Sequence, residues 1–141
     1  MMALNGIFDT TIDLLGKSLD LRSQNHNRIS ANIANAETPG YTPTVLSFEK
    51  ELQGALRDKR EASPPLTNAR HIPLRGQAGS LDMVQGTVIE TPAKTVGLDG
   101  NGVELENEMG KMVENQIMYN ADVQFLSKKF AQLTLAIKGG I

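Results

Sequence analysis

Two histidines, His26 and His71, three acids near the amino terminus, Asp9, Asp13 and Asp20, and no cysteine are where chemistry would have to start in this 141-residue sequence. A transition-metal site needs three or four His, Cys or carboxylate ligands at ligand spacing, and none of these residues falls into such a cluster. Two distant histidines supply no nucleophile–base–orienter arrangement, so no Ser/His/Asp constellation can be drawn. The absence of cysteine removes disulfides, thiolate ligands and cysteine nucleophiles. Gly76-Gln77-Ala78-Gly79-Ser80 has the glycines of a phosphate loop without its Lys or its strand–helix setting, and it reads as a flexible loop. Met109, Met112 and Met118 read as packing residues. The expectation is a protein with no catalytic, cofactor or metal site.

The other polar residues with suggestive spacing are amides. Asn32 and Asn35 stand among Ala and Ile in Ile29-Ser30-Ala31-Asn32-Ile33-Ala34-Asn35-Ala36. Small neighbours allow close helix approach, and an amide either caps a helix end or bonds across an interface. The spacing leaves both readings open: a capped helix end or a subunit contact.

Composition narrows the partners. With 14 basic and 16 acidic residues there is no excess of Lys and Arg to neutralise phosphates, so nucleic acid is excluded as a partner. No Trp, two Tyr and four Phe are too few aromatic side chains for a stacking platform for bases or sugars. No apolar run approaches the roughly 20 residues of a membrane span, and residues 1–15 carry Asp9 and Asp13 without a basic leader region, so neither membrane insertion nor a cleaved signal is expected.

Periodicity then supplies the elements that must carry any interface. The chain divides into an amino-terminal helix and turn (1–40), an irregular middle with short β structure (41–100) and a carboxy-terminal helix (101–141). Leu4, Phe8, Ile12, Leu15, Leu19, Ile29, Ile33 and Ala36 recur at three- and four-residue steps, with Arg22 and His26 breaking the stripe. Thr38-Pro39-Gly40-Tyr41 ends it, with Gly40 placed for the third position of a type II turn. Leu105, Met109, Met112, Gln116, Tyr119, Val123, Leu126, Phe130, Leu133 and Ile137 form a heptad series in which only Gln116 is polar, which predicts a coiled-coil seam. Asn101 and Glu104 suggest a capping box, and Gly139-Gly140 a stop.

In the middle, 47–59 could form a short helix and Thr87 to Thr91 a strand, and the rest reads as loop. The fold class expected is mainly α: two long helices of about 33 residues in an antiparallel coiled-coil hairpin, with the middle segment capping one end. A lone hairpin would leave Ile7, Leu14, Leu21, Val113, Ile117 and Leu135 outside its seam. They are expected to find neighbours on other subunits, so that the free chain is partly unfolded.

Ser30 to Tyr41 (Ser-Ala-Asn-Ile-Ala-Asn-Ala-Glu-Thr-Pro-Gly-Tyr) resembles the amino-terminal signature of bacterial flagellar rod and hook-type axial proteins. Leu98 to Met109, Met112 to Gln116, Met118-Tyr119, Ser127 to Phe130 and Ala136 to Gly140 resemble the carboxy-terminal helix of the small proximal rod proteins. Short length without an inserted middle domain also favours that type. The resemblance covers roughly residues 4–42 and 97–140; between them only Thr67 to His71 and the surroundings of Pro92 look similar. Thr42 departs from the pattern, standing where a basic residue is usual.

The resemblance implies a structural subunit of the proximal rod of the flagellar basal body. Such a subunit carries torque across the periplasm and is exported unfolded by the type III apparatus without leader cleavage. Its implied partners are copies of itself, the rod proteins FlgC, FlgF and FlgG, and FliE with the MS ring and export gate. The implied assembly seam is Leu15, Leu19, Ile29, Ile33, Leu105, Met109, Met112, Tyr119, Val123, Leu126, Phe130, Leu133 and Ile137. The signature turn is Asn32, Asn35, Thr38, Pro39, Gly40 and Tyr41. The competing reading is a soluble coiled-coil adaptor or chaperone-like helical protein.

Overall fold

The computed structural model describes residues 10–61, 81–92 and 102–139. Leu4, Ile7, Phe8, Asp9, His71, the Gly76 to Ser80 loop, the Asn101 cap and Gly140 lie outside the described residues. The elements in chain order are α1 (Thr10–Ala34), β1 (Thr44–Ser47), α2 (Glu49–Glu61), a single 3-10 turn (Leu81–Met83), β2 (Thr87–Glu90) and α3 (Leu105–Ile137). The chain is mostly helical, with one antiparallel two-stranded sheet in which Thr44 faces Glu90 and Ser47 faces Thr87.

Helix α1 stops where its sequence makes it stop. The Tyr41 N–H donates to the Thr38 carbonyl at 3.2 Å across Pro39-Gly40, and Gly40 has φ +74°, as the third residue of a type II turn requires. Helix α3 runs 33 residues, about 50 Å at 1.5 Å per residue, and is released at Gly139 with φ +81°. Its start differs from the expected capping box. Leu105 is its first residue and Glu104 is the N-cap, with no side-chain cap bond, so Glu104 is not the third helical residue. The bond that opens the helix is backbone alone, Glu108 N–H to Glu104 O at 3.0 Å.

Two expectations about the middle segment change. It does not merely cap the end of the helix pair. Leu46, Phe48, Ala55, Leu81 and Val84 bury Leu21 of α1, with Leu14 and Leu52 packed against the cluster, so β1, α2 and the 3-10 turn lie along one side of α1. Leu21 and Leu14, expected to wait for another subunit, are therefore covered within the chain. Burial of each large apolar side chain there contributes about 1.5–3 kcal/mol. Strand β1 was not anticipated. Four residues are too few to show alternation, and its partner β2 lies about 40 residues further along the chain. Gly86 (φ +72°) closes the cluster, since a Cβ there would meet Leu46 Cγ at 3.0 Å.

Candidate assembly interface

Seven-residue spacing recurs on both long helices, and the residues it links are polar. Ser18, Asn25 and Asn32 lie on α1, and Glu108, Asn115 and Asp122 on α3. All are buried except Asp122, which is half-buried, and no other polar side chain among the described residues is buried. A heptad step returns a helix to nearly the same face, so each trio forms a column. The bonds described next pair residue 32 with 108 and residue 18 with 122, so the two helices run past each other in opposite directions.

The first level is built on Asn32, which is 0 % exposed. Its Nδ2 donates to Glu108 Oε2 at 2.7 Å and to the Thr44 carbonyl at 2.8 Å. Its Oδ1 accepts from Tyr41 Oη at 3.1 Å and from the Thr44 N–H at 3.0 Å. Both donors and both acceptor positions of the amide are used. One side chain thus joins the end of α1, the turn, β1 and the start of α3. Glu108, 2 % exposed, also takes the Lys111 ammonium one turn on, which offsets the cost of burying a carboxylate. Gly102 belongs to the same junction: a Cβ there would sit 2.6 Å from the Tyr41 carbonyl oxygen.

At the second level Asn25 Oδ1 accepts the Leu46 N–H at 2.9 Å, and Asn115 Nδ2 donates to the Arg22 carbonyl at 2.9 Å. Asn115 Oδ1 is buried with no partner among the described residues, so this level is the least complete. At the third, Asp122 Oδ2 accepts from Ser18 Oγ at 2.7 Å and Arg22 Nε at 3.1 Å, and the Arg22 guanidinium lies 5.4 Å from the centre of the Phe48 ring. The N–H groups of Thr44 and Leu46 go to Asn32 and Asn25, so α1 stands in for a neighbouring strand along β1.

The two amides singled out in the sequence part company. Asn35 Nδ2 bonds the Ala31 carbonyl at 2.8 Å and its Oδ1 accepts from Thr38 Oγ1 at 3.3 Å, which makes it a helix-end residue. Asn32 is neither a cap nor free for another subunit. Sequence reasoning missed Asn25, Asn115 and Asp122 as interface residues, and used Glu108 only as a charge near a helix start. The available signal was the heptad spacing of the polar residues themselves.

The apolar series is placed differently. On α3, Met112, Tyr119, Leu126 and Leu133 are half-buried beside the polar column. Leu105, Met109 (55 %), Val123 (42 %), Phe130 (44 %) and Ile137 are exposed, as are Val113, Ile117 and Leu135. On α1, Ile29 is buried and Leu15, Leu19 and Ile33 are half-buried. Within one chain, then, the expected seam is only partly brought together. Among the described residues no helix is long and apolar enough to cross a membrane.

The model of the flagella basal body rod protein family matches residues 19–42, the stretch holding Asn25, Asn32 and the turn. Over most of its length the chain is similar to curated flagellar basal body rod proteins FlgB. It is 28% identical to that of Borrelia hermsii over 134 residues (94% of this chain, 98% of that protein). It is 27% identical to that of Escherichia coli K12 over 136 residues (94% and 96%). With that of Yersinia ruckeri it shares 32% identity over 129 residues, 88% of this chain and 90% of the other. The chain therefore belongs to the FlgB family of flagellar basal body rod proteins.

Proposed function

We propose that this chain is a structural subunit of the flagellar rod that assembles by packing helix on helix. The observation that carries this is the uncovered apolar column of α3, Met109, Val123 and Phe130, beside a polar column already paired within the chain. A single molecule leaves several large apolar side chains in water along one helix, which is the mark of a surface meant for other helices. In this reading α1 and α3 form an antiparallel coiled-coil hairpin. The seam Leu15, Leu19, Ile29, Ile33, Leu105, Met109, Met112, Tyr119, Val123, Leu126, Phe130, Leu133 and Ile137 is closed by neighbouring subunits, and the turn from Asn35 to Tyr41 holds the hairpin's end.

Family membership supports the finer parts of the proposal: a place in the proximal rod, transmission of torque across the periplasm, and export as an unfolded chain without leader cleavage. It also supports contacts with copies of itself, with FlgC, FlgF and FlgG, and with FliE at the MS ring and export gate. The test is deletion of the gene in the bacterium that makes the protein, followed by isolation of basal bodies. Loss of the rod and of swimming, with the wild-type chain recovered in basal bodies on complementation, is the expected result. Normal rods without the gene, or a chain found only in the soluble fraction, would favour a free adaptor and overturn the proposal.

A further inference from the structure

The apolar stripe of α1 is broken at Arg22 and His26, and the heptad series of α3 is broken at Gln116. The structure brings all three breaks to one place. Arg22, Ser23, His26, Asn115, Gln116 and Tyr119 line a single notch of about 130 Å³ between the two helices. The notch is rich in unused donors. The side chains of Ser23, His26 and Tyr119 make no hydrogen bond among the described residues, while the Arg22 guanidinium is held by Asp122 and the Phe48 ring. Exposed apolar side chains flank the notch along α3, with Met109 and Val113 on one side and Val123 and Phe130 on the other. This surface suits a helix that is apolar with one carboxylate in its stripe.

Helix α3 carries such a stripe on its own opposite flank. Met118 and Phe125 are exposed and seven residues apart, the same spacing as Val123 and Phe130, and Glu114 is exposed one turn before Met118. Two residues along a helix turn it by about 200°, so Phe125 points away from Val123. Two unlike apolar flanks on opposite sides of one helix are what a head-to-tail contact between identical chains requires.

We infer that the notched side of the α1–α3 pair receives helix α3 of a second copy of this chain, with Met118 and Phe125 of the second copy on Val123 and Phe130 and its Glu114 in the notch. The inference rests on the rod reading, which supplies the repeated assembly.

The chain has no cysteine, so single-cysteine variants report contacts cleanly. Full-length Val123→Cys and Met118→Cys, distinguishable by tag and each checked for helicity by circular dichroism, are mixed at a concentration where the wild type associates, then oxidised. The mixed disulfide should exceed the statistical share over both homodimers. Glu114→Lys in the Met118→Cys chain should lower its yield about fivefold, and His26→Glu in the Val123→Cys chain should restore it. A statistical mixture, a dominant Val123–Val123 disulfide, failure of the charge swap to restore, or a wild type that does not self-associate overturns the inference. If deletion of the gene abolishes the rod while any of these results is obtained, the rod reading stands and the second-copy contact falls. If the mixed disulfide forms but rods persist without the gene, the reverse holds.

Discussion

Two columns of residues run along α3 one position out of step. Glu108, Asn115 and Asp122 face α1 and are tied to it by hydrogen bonds; Met109, Val123 and Phe130 lie about 100° further round and face solvent. Burial of apolar area alone would favour the opposite arrangement, with the greasier column against the chain's own helix. The difference lies in direction. A hydrogen-bonded column fits in one register, because a slip by one turn leaves every buried donor and acceptor unpaired. An apolar column is tolerant of sliding and of partner. The chain uses directional bonds to fix its own α1–α3 contact and leaves its less discriminating surface outside.

The largest test of that contrast is Asn32→Ala. It removes four hydrogen bonds at a fully buried side chain and takes from Glu108 one of its two partners. A loss of about 3 kcal/mol is expected, a large part of a small domain's stability, read as a lowered or absent urea transition of the purified chain. A change below about 1 kcal/mol would mean that the junction is not what fixes the contact.

Much of this was open to a reader of the sequence, though unevenly. The extent of α3 followed from its heptad pattern, and Thr38-Pro39-Gly40-Tyr41 named its own turn because Pro and Gly have few conformations to choose from. The polar column escaped for a physical reason. A hydrophobic pattern points to whichever face is greasiest, and on α3 that face is one residue away from the face that meets α1. Asn32 was noticed, but its partners Thr44 and Glu108 lie 12 and 76 residues away, and nothing local marks them. Strand β1 was hidden in the same way. One edge of it is satisfied by side chains of a helix, the Thr44 and Leu46 N–H groups going to Asn32 and Asn25, and the other by β2 far along the chain.

Asp122→Ala tests the far end of the ladder. It strands Arg22 Nε and Ser18 Oγ, both of which now donate to it, but Arg22 and Asp122 are partly open to solvent, so a cost of about 1–2 kcal/mol is expected by chemical denaturation. An effect as large as that of Asn32→Ala would show that the ladder is anchored at its third level rather than at the turn. Gly40→Val follows at about 1 kcal/mol. No atom lies within 4 Å of the site a Cβ would take, so only the strain of a β-branched residue at φ +74° is felt, and Gly40→Asn should recover most of it. Equal thermal midpoints for Val and Asn at this position would remove the strain argument.

Phe130→Asp should have the smallest effect on the isolated fold and a decisive one on assembly. The ring is 44 % exposed and belongs to the outward column, so the stability of the free chain should move by no more than about 0.5 kcal/mol. Once a neighbouring helix covers that position, the same carboxylate is buried without a partner, at a cost that helix packing does not recover. The expected result is a chain with an unchanged urea transition that no longer enters basal bodies and does not support swimming. Asp122→Ala, on the inward column, should do the converse, with lower stability and assembly retained below its melting point. A Phe130→Asp chain that unfolds early, or one that assembles normally, would erase the division of labour between the two columns, because that division requires the outward column to matter only between molecules.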